Sequence, residues 1–226
     1  MDSESLTLNI LAIMYIGDVV FAMSGALMAA RYKMDIIGFI MIGAITGIGG
    51  GTLRDLLLGR PVWWTHDPAE LILVITVSVI TFFFITNDIT RKKGMIWADA
   101  IGLSVFAVVG CHIALDFGSP FYIAVVVGMI TATGGGVIRD VLTNNQPMIM
   151  SGQLYATAAL LGSLSYASLK YLGIDEVTSE IFAVLAAFSL RASAIIFDIR
   201  MGPPGSFIRI GKKDSPAPAR QPVNRR

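Results

Sequence analysis

Long apolar runs separated by short polar breaks set the pattern of this chain. About 20 apolar residues carry a helix across the hydrocarbon core of a bilayer. Seven runs reach or approach that length: 6–30, 35–57, 69–86, 97–115, 120–142, 153–172 and 179–199. Several breaks between them hold residues that turn a chain, as in Gly59-Arg60-Pro61, Asp116-Phe117-Gly118-Ser119-Pro120 and Asn144-Asn145-Gln146-Pro147. The pattern predicts an all-α membrane protein with seven transmembrane helices. Past Met201 it stops. Gly202-Pro203-Pro204-Gly205 ends the last helix, and the Pro-, Lys- and Arg-rich remainder, 203–226, is expected to be a disordered basic cytoplasmic tail.

Composition agrees with the pattern. With 54% hydrophobic and 15% charged residues and a mean hydropathy of +0.70, the chain is too apolar for a soluble domain of its length. A net charge of +1 and the lack of a basic face argue against a nucleic-acid partner. The lone Cys111 excludes an intrachain disulfide. The start, Met1-Asp2-Ser3-Glu4-Ser5, lacks the basic region of a signal peptide, so the first apolar run is expected to be kept as a span.

Loop charges orient the bundle. Arg31, Lys33, Arg91, Lys92, Lys93, Arg200, Arg209, Lys212 and Lys213 fall on one side, and Asp2, Glu4, Asp67, Glu70, Asp116, Asp175, Glu176 and Glu180 on the other with only Arg60 and Lys170. The positive-inside rule then puts the N-terminus outside and the C-terminus in the cytoplasm.

The least expected feature occurs twice. Gly49-Gly50-Gly51-Thr52-Leu53-Arg54-Asp55 lies in the second span, and Gly134-Gly135-Gly136-Val137-Ile138-Arg139-Asp140 in the fifth. A gapless shift of 85 positions superimposes the two, and also pairs Ile16-Gly17 with Ile101-Gly102, Phe21-Ala22 with Phe106-Ala107, Gly25 with Gly110, Ala29 with Ala114, Gly43 with Gly128 and Ile45-Thr46 with Ile130-Thr131. A repeat of three spans enters the membrane from the opposite side on its second pass. The chain therefore divides into a three-helix unit over 6–90, an inverted one over 91–175, and a seventh helix over 176–202. Folds of this kind place their ion or substrate site near mid-membrane, at interrupted helices in corresponding positions of the two halves.

Each glycine costs a helix interior about 1 kcal/mol against alanine. A bend or unwound turn is thus expected at 49–51 and at 134–136. Freed carbonyls there, with the hydroxyls of Thr46, Thr52, Thr131 and Thr133, would replace part of a cation's hydration shell. The competing reading is a small-residue stripe, Gly43, Gly47 and Gly51, for close helix packing. Arg54-Asp55 and Arg139-Asp140 follow the triplets, and Asp18, Arg191 and Asp198 are further membrane-embedded charges. Such charges are costly and are expected to face the interior and pair. Neighbours on a helix point about 100° apart, so each Arg-Asp pair is expected to bond across helices rather than within itself. The arginines would form a positive gate or latch that Asp18, Asp55 and Asp140 offset; a purely structural charge network is the alternative.

Other features carry less. His112 reads as an interhelical hydrogen-bonding group, Lys170 as a snorkelling anchor, and Trp63, Trp64 and Trp97 as an interfacial belt. Arg91, Lys92 and Lys93 suit anionic lipid heads as well as a topology signal. Gly47-Ile48-Gly49-Gly50-Gly51 lacks the Gly-Lys-Ser/Thr ending of a phosphate loop. With only His66 and His112, neither a zinc cluster nor a Ser-His-Asp set can be assembled, so an enzyme is not expected.

Three plus three plus one spans, with Gly-Gly-Gly-x-x-Arg-Asp in the second and fifth, resembles the prokaryotic branch of the trimeric intracellular cation (TRIC) channel family. The resemblance covers 8 to about 200 and leaves the tail outside. It implies a homotrimer in a bacterial inner membrane, with one pore per protomer between the second and fifth spans, bent at Gly49, Gly50, Gly51 and at Gly134, Gly135, Gly136. Such a pore passes monovalent cations, chiefly K+ with Na+ second. No cofactor is implied; the partners are a second and third copy of the chain and membrane lipid. The phosphoinositide binding of eukaryotic members goes with a lysine-bearing segment and is not carried over, because Arg54 and Arg139 hold the positions after the glycines here. The same family set includes bacterial transporters of small amino acids, glycine in particular, and inverted repeats serve that function equally. A passive scaffold is the third reading, disfavoured by the cost of buried ion pairs.

Overall fold

The computed structural model describes residues 3–84, 88–201 and 209–210. Seven α-helices occur among them: α1 (Ser3–Arg31), α2 (Ile36–Leu57), α3 (Ala69–Phe84), α4 (Asp88–Asp116), α5 (Phe121–Leu142), α6 (Ala156–Tyr171) and α7 (Glu176–Ile196). Each expected span corresponds to one helix. At 1.5 Å per residue, the 22 residues of α2 and of α5 give about 33 Å, enough to cross a core of about 30 Å. The 16 residues of α3 and of α6 reach only about 24 Å, so these two are the short members of the bundle. Asp35 caps α2 by accepting from the Gly38 amide at 2.9 Å, and Asp175 caps α7 by accepting from Thr178 at 2.9 Å.

The sequence repeat is also a repeat of packing. α1, α2 and α3 contact one another, as do α4, α5 and α6, and the two sets meet through α1 with α4 and α2 with α5. Gly43 is pressed against the Ser78 hydroxyl, and its counterpart Gly128 against that of Ser163. Both serines bond back along their own helices, Ser78 to the Val74 carbonyl and Ser163 to that of Ala159. Where α1 crosses α4, the equivalent rings of Phe21 and Phe106 stack at 5.3 Å, each lying over the other helix's glycine, Gly102 and Gly17. A pseudo-two-fold relation between the halves accounts for these pairs. Small side chains make the crossings close: Ala22, Ala26, Ala29, Ala107, Ala114 and Ala132 are fully buried. Outward faces stay apolar, with Ile37, Met41, Phe83, Phe84 and Tyr171 all exposed, as a hydrocarbon surround requires.

The C-terminal segment departs from expectation. Ile199–Arg200 pairs antiparallel with Arg209–Ile210, so part of the stretch expected to be disordered forms a strand. Turn-forming Gly202, Pro203, Pro204 and Gly205 lie between the two strands in sequence, and two paired residues need no apolar core of their own. The rest of the expected tail lies outside the described residues.

Candidate functional site

α2 and α5 cross at the two glycine triplets. A side chain on Gly50 would collide with the Thr131 carbonyl oxygen, and one on Gly135 with that of Thr46. Thr46 thus faces Gly135 and Thr131 faces Gly50, so the helices run antiparallel and touch backbone to backbone. Only glycine permits that approach. The first glycine of each triplet meets a flexible side-chain tip instead: a carbon on Gly49 would lie 3.3 Å from Ile138 Cδ1, and one on Gly134 2.7 Å from Leu53 Cδ1. All six glycines, with Thr46 and Thr131, are buried.

Helical structure runs unbroken through both triplets, which corrects the expectation of an unwound turn. In a dry interior no water competes for the backbone, so releasing helical hydrogen bonds costs more than three glycines do. The threonine hydroxyls likewise bond within their helices: Thr46 to the Ile42 carbonyl at 2.5 Å, Thr52 to Ile48 at 2.8 Å, Thr131 to Val127 at 2.7 Å and Thr133 to Met129 at 2.9 Å.

Because the helices are antiparallel, Arg54 and Arg139 lie beyond the crossing in opposite directions. Each is four residues past a contacting glycine, about 6 Å along its axis. Arg54 is 1% exposed. Its Nε donates to Asp55 Oδ1 at 2.8 Å, and its guanidinium sits 5.1 Å from the centre of the Trp63 ring. Trp63 in turn fills the space beside Gly51, and its amide donates to Asp55 Oδ2 at 3.3 Å. Asp18 on α1 and Glu70 on α3 complete the group. Both are buried and within electrostatic reach of Arg54, yet neither Asp18 oxygen accepts a hydrogen bond among the described residues.

The second cluster repeats this plan with different chemistry. Arg139 Nε donates to Asp140 Oδ1 at 2.9 Å, and the Met148 amide donates to Asp140 Oδ2 at 3.0 Å, the counterparts of the Arg54 and Trp63 bonds. Here, however, Arg139 also reaches across to α4 and α1, donating to Asp99 Oδ1 at 2.7 Å and to the Ser24 hydroxyl at 2.7 Å. Ser24 passes a bond on to the Met95 carbonyl at 3.1 Å. Tyr155, at the position equivalent to Glu70, packs its ring 5.0 Å from the Arg191 guanidinium, which donates to Gln153 at 3.2 Å. One charged ring of partners closes the Arg139 end; the Arg54 end has more carboxylates but fewer direct bonds.

The candidate residues thus gather into one crossing and two flanking clusters: Arg54, Asp55 and Asp18 at one end, Arg139, Asp140 and Arg191 at the other. Both Arg-Asp neighbours bond within the pair, contrary to expectation, while Arg139 also makes the expected bonds across helices, to Asp99 and Ser24. Although the side chains leave the helix 100° apart, the guanidinium's long arm curls back over the intervening angle. Asp99, Glu70, Tyr155, Ser24 and Trp63 were not among the candidates. The 85-residue register could have found Glu70 with Tyr155 and Trp63 with Met148, since each pair follows its Arg-Asp at the same distance. His112 does bond between helices, to the Tyr166 hydroxyl at 2.6 Å, and Lys170 lies 3.4 Å from Glu176.

An inverted repeat of membrane helices, crossing at paired glycines with a buried arginine cluster on each side, defines a protein of the channel and transporter class. The comparisons narrow it. A family described as "Glycine transporter" matches over residues 11–86 and again over 96–171, one match per half of the repeat. The inner membrane protein YadS of Escherichia coli K12, of the group named UPF0126, is 35% identical over 189 residues, covering 82% of this chain and 91% of its own. Among solved structures, the TRIC trimeric intracellular cation channel orthologue from Rhodobacter sphaeroides superimposes with a TM-score of 0.81 at 41% identity, covering 84% of this chain and 98% of that one. A prokaryotic TRIC channel crystallised in 0.5 M KCl gives 0.80 at 34% identity, covering 85% and 98%. This chain belongs to that family, the prokaryotic TRIC channels with the UPF0126 and glycine-transporter sequences.

Proposed function

We propose that the chain is a monovalent cation channel, chiefly for K+, working as a homotrimer in a bacterial inner membrane with its N-terminus outside. Each protomer holds one pathway along α2 and α5, contributed by the repeats 6–90 and 91–175, with α7 in the unit 176–202 packed against them. The observation that carries this reading is the α2–α5 crossing. Two helices in backbone contact at glycine, with nothing larger between them, form a constriction that a small rigid-body shift would widen. Widening would expose the Thr46 and Thr131 carbonyls and the hydroxyls of Thr46, Thr52, Thr131 and Thr133, oxygens of the kind that stand in for a K+ hydration shell. The arginine clusters then act as latches. Arg54 and Arg139 present positive charge to an approaching cation, and Asp55, Asp140, Asp18 and Asp99 decide how much of it is felt. The solved relatives named as cation channels support the same assignment.

A second reading, transport of a small amino acid such as glycine, is favoured by the description of the matching family and by the seal itself. A crossing closed in the middle with a polar cluster on each side is what alternating access needs. Planar bilayers containing the purified protein separate the two. Unitary K+ currents that change in amplitude or open time in Arg54→Ala and Arg139→Ala support the channel. Saturable glycine uptake into proteoliposomes without unitary events would replace it by the transporter.

A further inference from the structure

Away from both arginine clusters, a third group of titratable side chains gathers in the bundle, three of them buried and Glu176 half-buried. His112 lies one turn before the end of α4, Tyr166 is on α6, and Glu176 and Glu180 sit one turn apart on a single face of α7. His112 is 5% exposed and Glu180 2%. Three oxygens crowd one ring nitrogen: Nδ1 is 2.6 Å from the Tyr166 hydroxyl, 3.3 Å from Glu176 Oε1 and 3.2 Å from Glu180 Oε1. One ring nitrogen makes one in-plane bond, and Glu180 Oε1 is left without a hydrogen bond. A buried, unpaired carboxylate oxygen aimed at an imidazole is expensive unless something positive binds there.

The spacing fits a metal. Tetrahedral zinc with bonds of about 2.1 Å holds its ligand atoms about 3.4 Å apart, close to the 3.2 and 3.3 Å between Nδ1 and the two carboxylates. The surroundings fit as well. Asp116 Oδ2 lies 3.1 Å from Nε2, placed to accept a proton carried there; in that tautomer the Nδ1 lone pair faces the carboxylates, the carboxylate–histidine–metal arrangement. Lys170 steadies the other oxygen of Glu176 at 3.4 Å. One imidazole with two carboxylates selects a zinc-like transition metal over Mg2+ or Ca2+, which prefer oxygen alone. We propose that His112, Glu176 and Glu180 bind a transition-metal dication of the zinc class, with a fourth position open to water. Asp116, which holds Nε2, is itself exposed, and the group lies at the same end of the bundle as Arg54: Arg60, just after α2, stacks on Phe117, just after α4, at 5.8 Å.

Metal on Nδ1 must displace the Tyr166 hydroxyl, which supplies a discriminating variant. The full-length protein in detergent is stripped with chelator and titrated with ZnCl2 by calorimetry, with elemental analysis after dialysis. One zinc per chain is expected, unaffected by a large excess of MgCl2 or CaCl2. Glu180→Gln and His112→Ala should each weaken binding by about 10-fold or more, whereas Tyr166→Phe, which removes the competitor for Nδ1, should bind at least as tightly. Zinc should raise the unfolding temperature of the parent and of Tyr166→Phe but not of Glu180→Gln, whose folding is checked in the same scan. Absence of saturable zinc binding by the folded parent, or stoichiometric binding that both Glu180→Gln and His112→Ala retain undiminished, would overturn the proposal and leave a His–Glu–Tyr hydrogen-bonding cluster.

Discussion

Replacing Gly50 by alanine puts a methyl group against the Thr131 carbonyl oxygen, well inside the 3.4 Å at which ordinary contact begins. The obstacle is the backbone of a packed helix, so no side-chain rotation relieves it and α2 must move away from α5. Overpacking of this kind costs about 1–3 kcal/mol, while alanine recovers about 1 kcal/mol of helix propensity. A net loss of about 0–2 kcal/mol, centred on about 1, is expected. Gly49→Ala makes the opposite balance. Its methyl would meet the tip of Ile138 at 3.3 Å and Gly135 Cα at 3.7 Å, so the propensity gain survives. The two neighbours should therefore differ by about 2 kcal/mol, roughly 30-fold in the unfolding equilibrium. The inverted copy supplies a replicate: Gly135→Ala, facing the Thr46 carbonyl, should match Gly50→Ala, and Gly134→Ala, whose methyl would meet the movable tip of Leu53 at 2.7 Å and Gly50 Cα at an ordinary 3.4 Å, should match Gly49→Ala. Denaturant titration in detergent, followed by tryptophan fluorescence, gives the four midpoints. If Gly50→Ala proves as stable as Gly49→Ala, the backbone contact at the crossing is not what the glycines are for.

The remaining predictions concern charge and capping. Asp99→Ala leaves the Arg139 guanidinium buried without its 2.7 Å partner on α4 and should cost about 3–5 kcal/mol, read as a lower unfolding midpoint; replacing both residues by apolar ones of similar volume should recover most of it. Asp18→Asn should shift the same midpoint by less than about 1 kcal/mol, because the Asp18 oxygens accept no hydrogen bond among the described residues; a loss as large as that of Asp99→Ala would refute the contrast between the clusters. Asp35→Ala removes the bond to the Gly38 amide at the start of α2 and should lower stability by about 1 kcal/mol, again by denaturant titration.

Particular residues show why some of the site was legible and some was not. Arg54, Asp55, Arg139 and Asp140 stand out because ionisable groups inside apolar runs are rare, and their register repeats. Asp99 has the same rarity but lies near the start of the run 97–115, where a charge is ordinarily interfacial; only the extension of α4 back to Asp88 sinks it into the bundle. Glu70 and Tyr155 escape notice for another reason. They share no chemistry, so similarity of residues does not flag them; only their common place in the 85-residue register does. The metal-like group escapes because His112 and its two glutamates are far apart in the chain, on helices that adjoin only after folding.

Periodicity and composition by themselves determined the seven helices, their membrane setting and the inverted repeat. Each of these depends on local hydrophobicity or on register, both written along one dimension. Tertiary structure alone decided that the glycines form a close crossing with helical structure intact, that the two arginine clusters have unequal partners, and which carboxylates remain unpaired. Those outcomes depend on distances between helices. They are set where three or four elements compete for the same few ångströms, and no single stretch of sequence contains that competition.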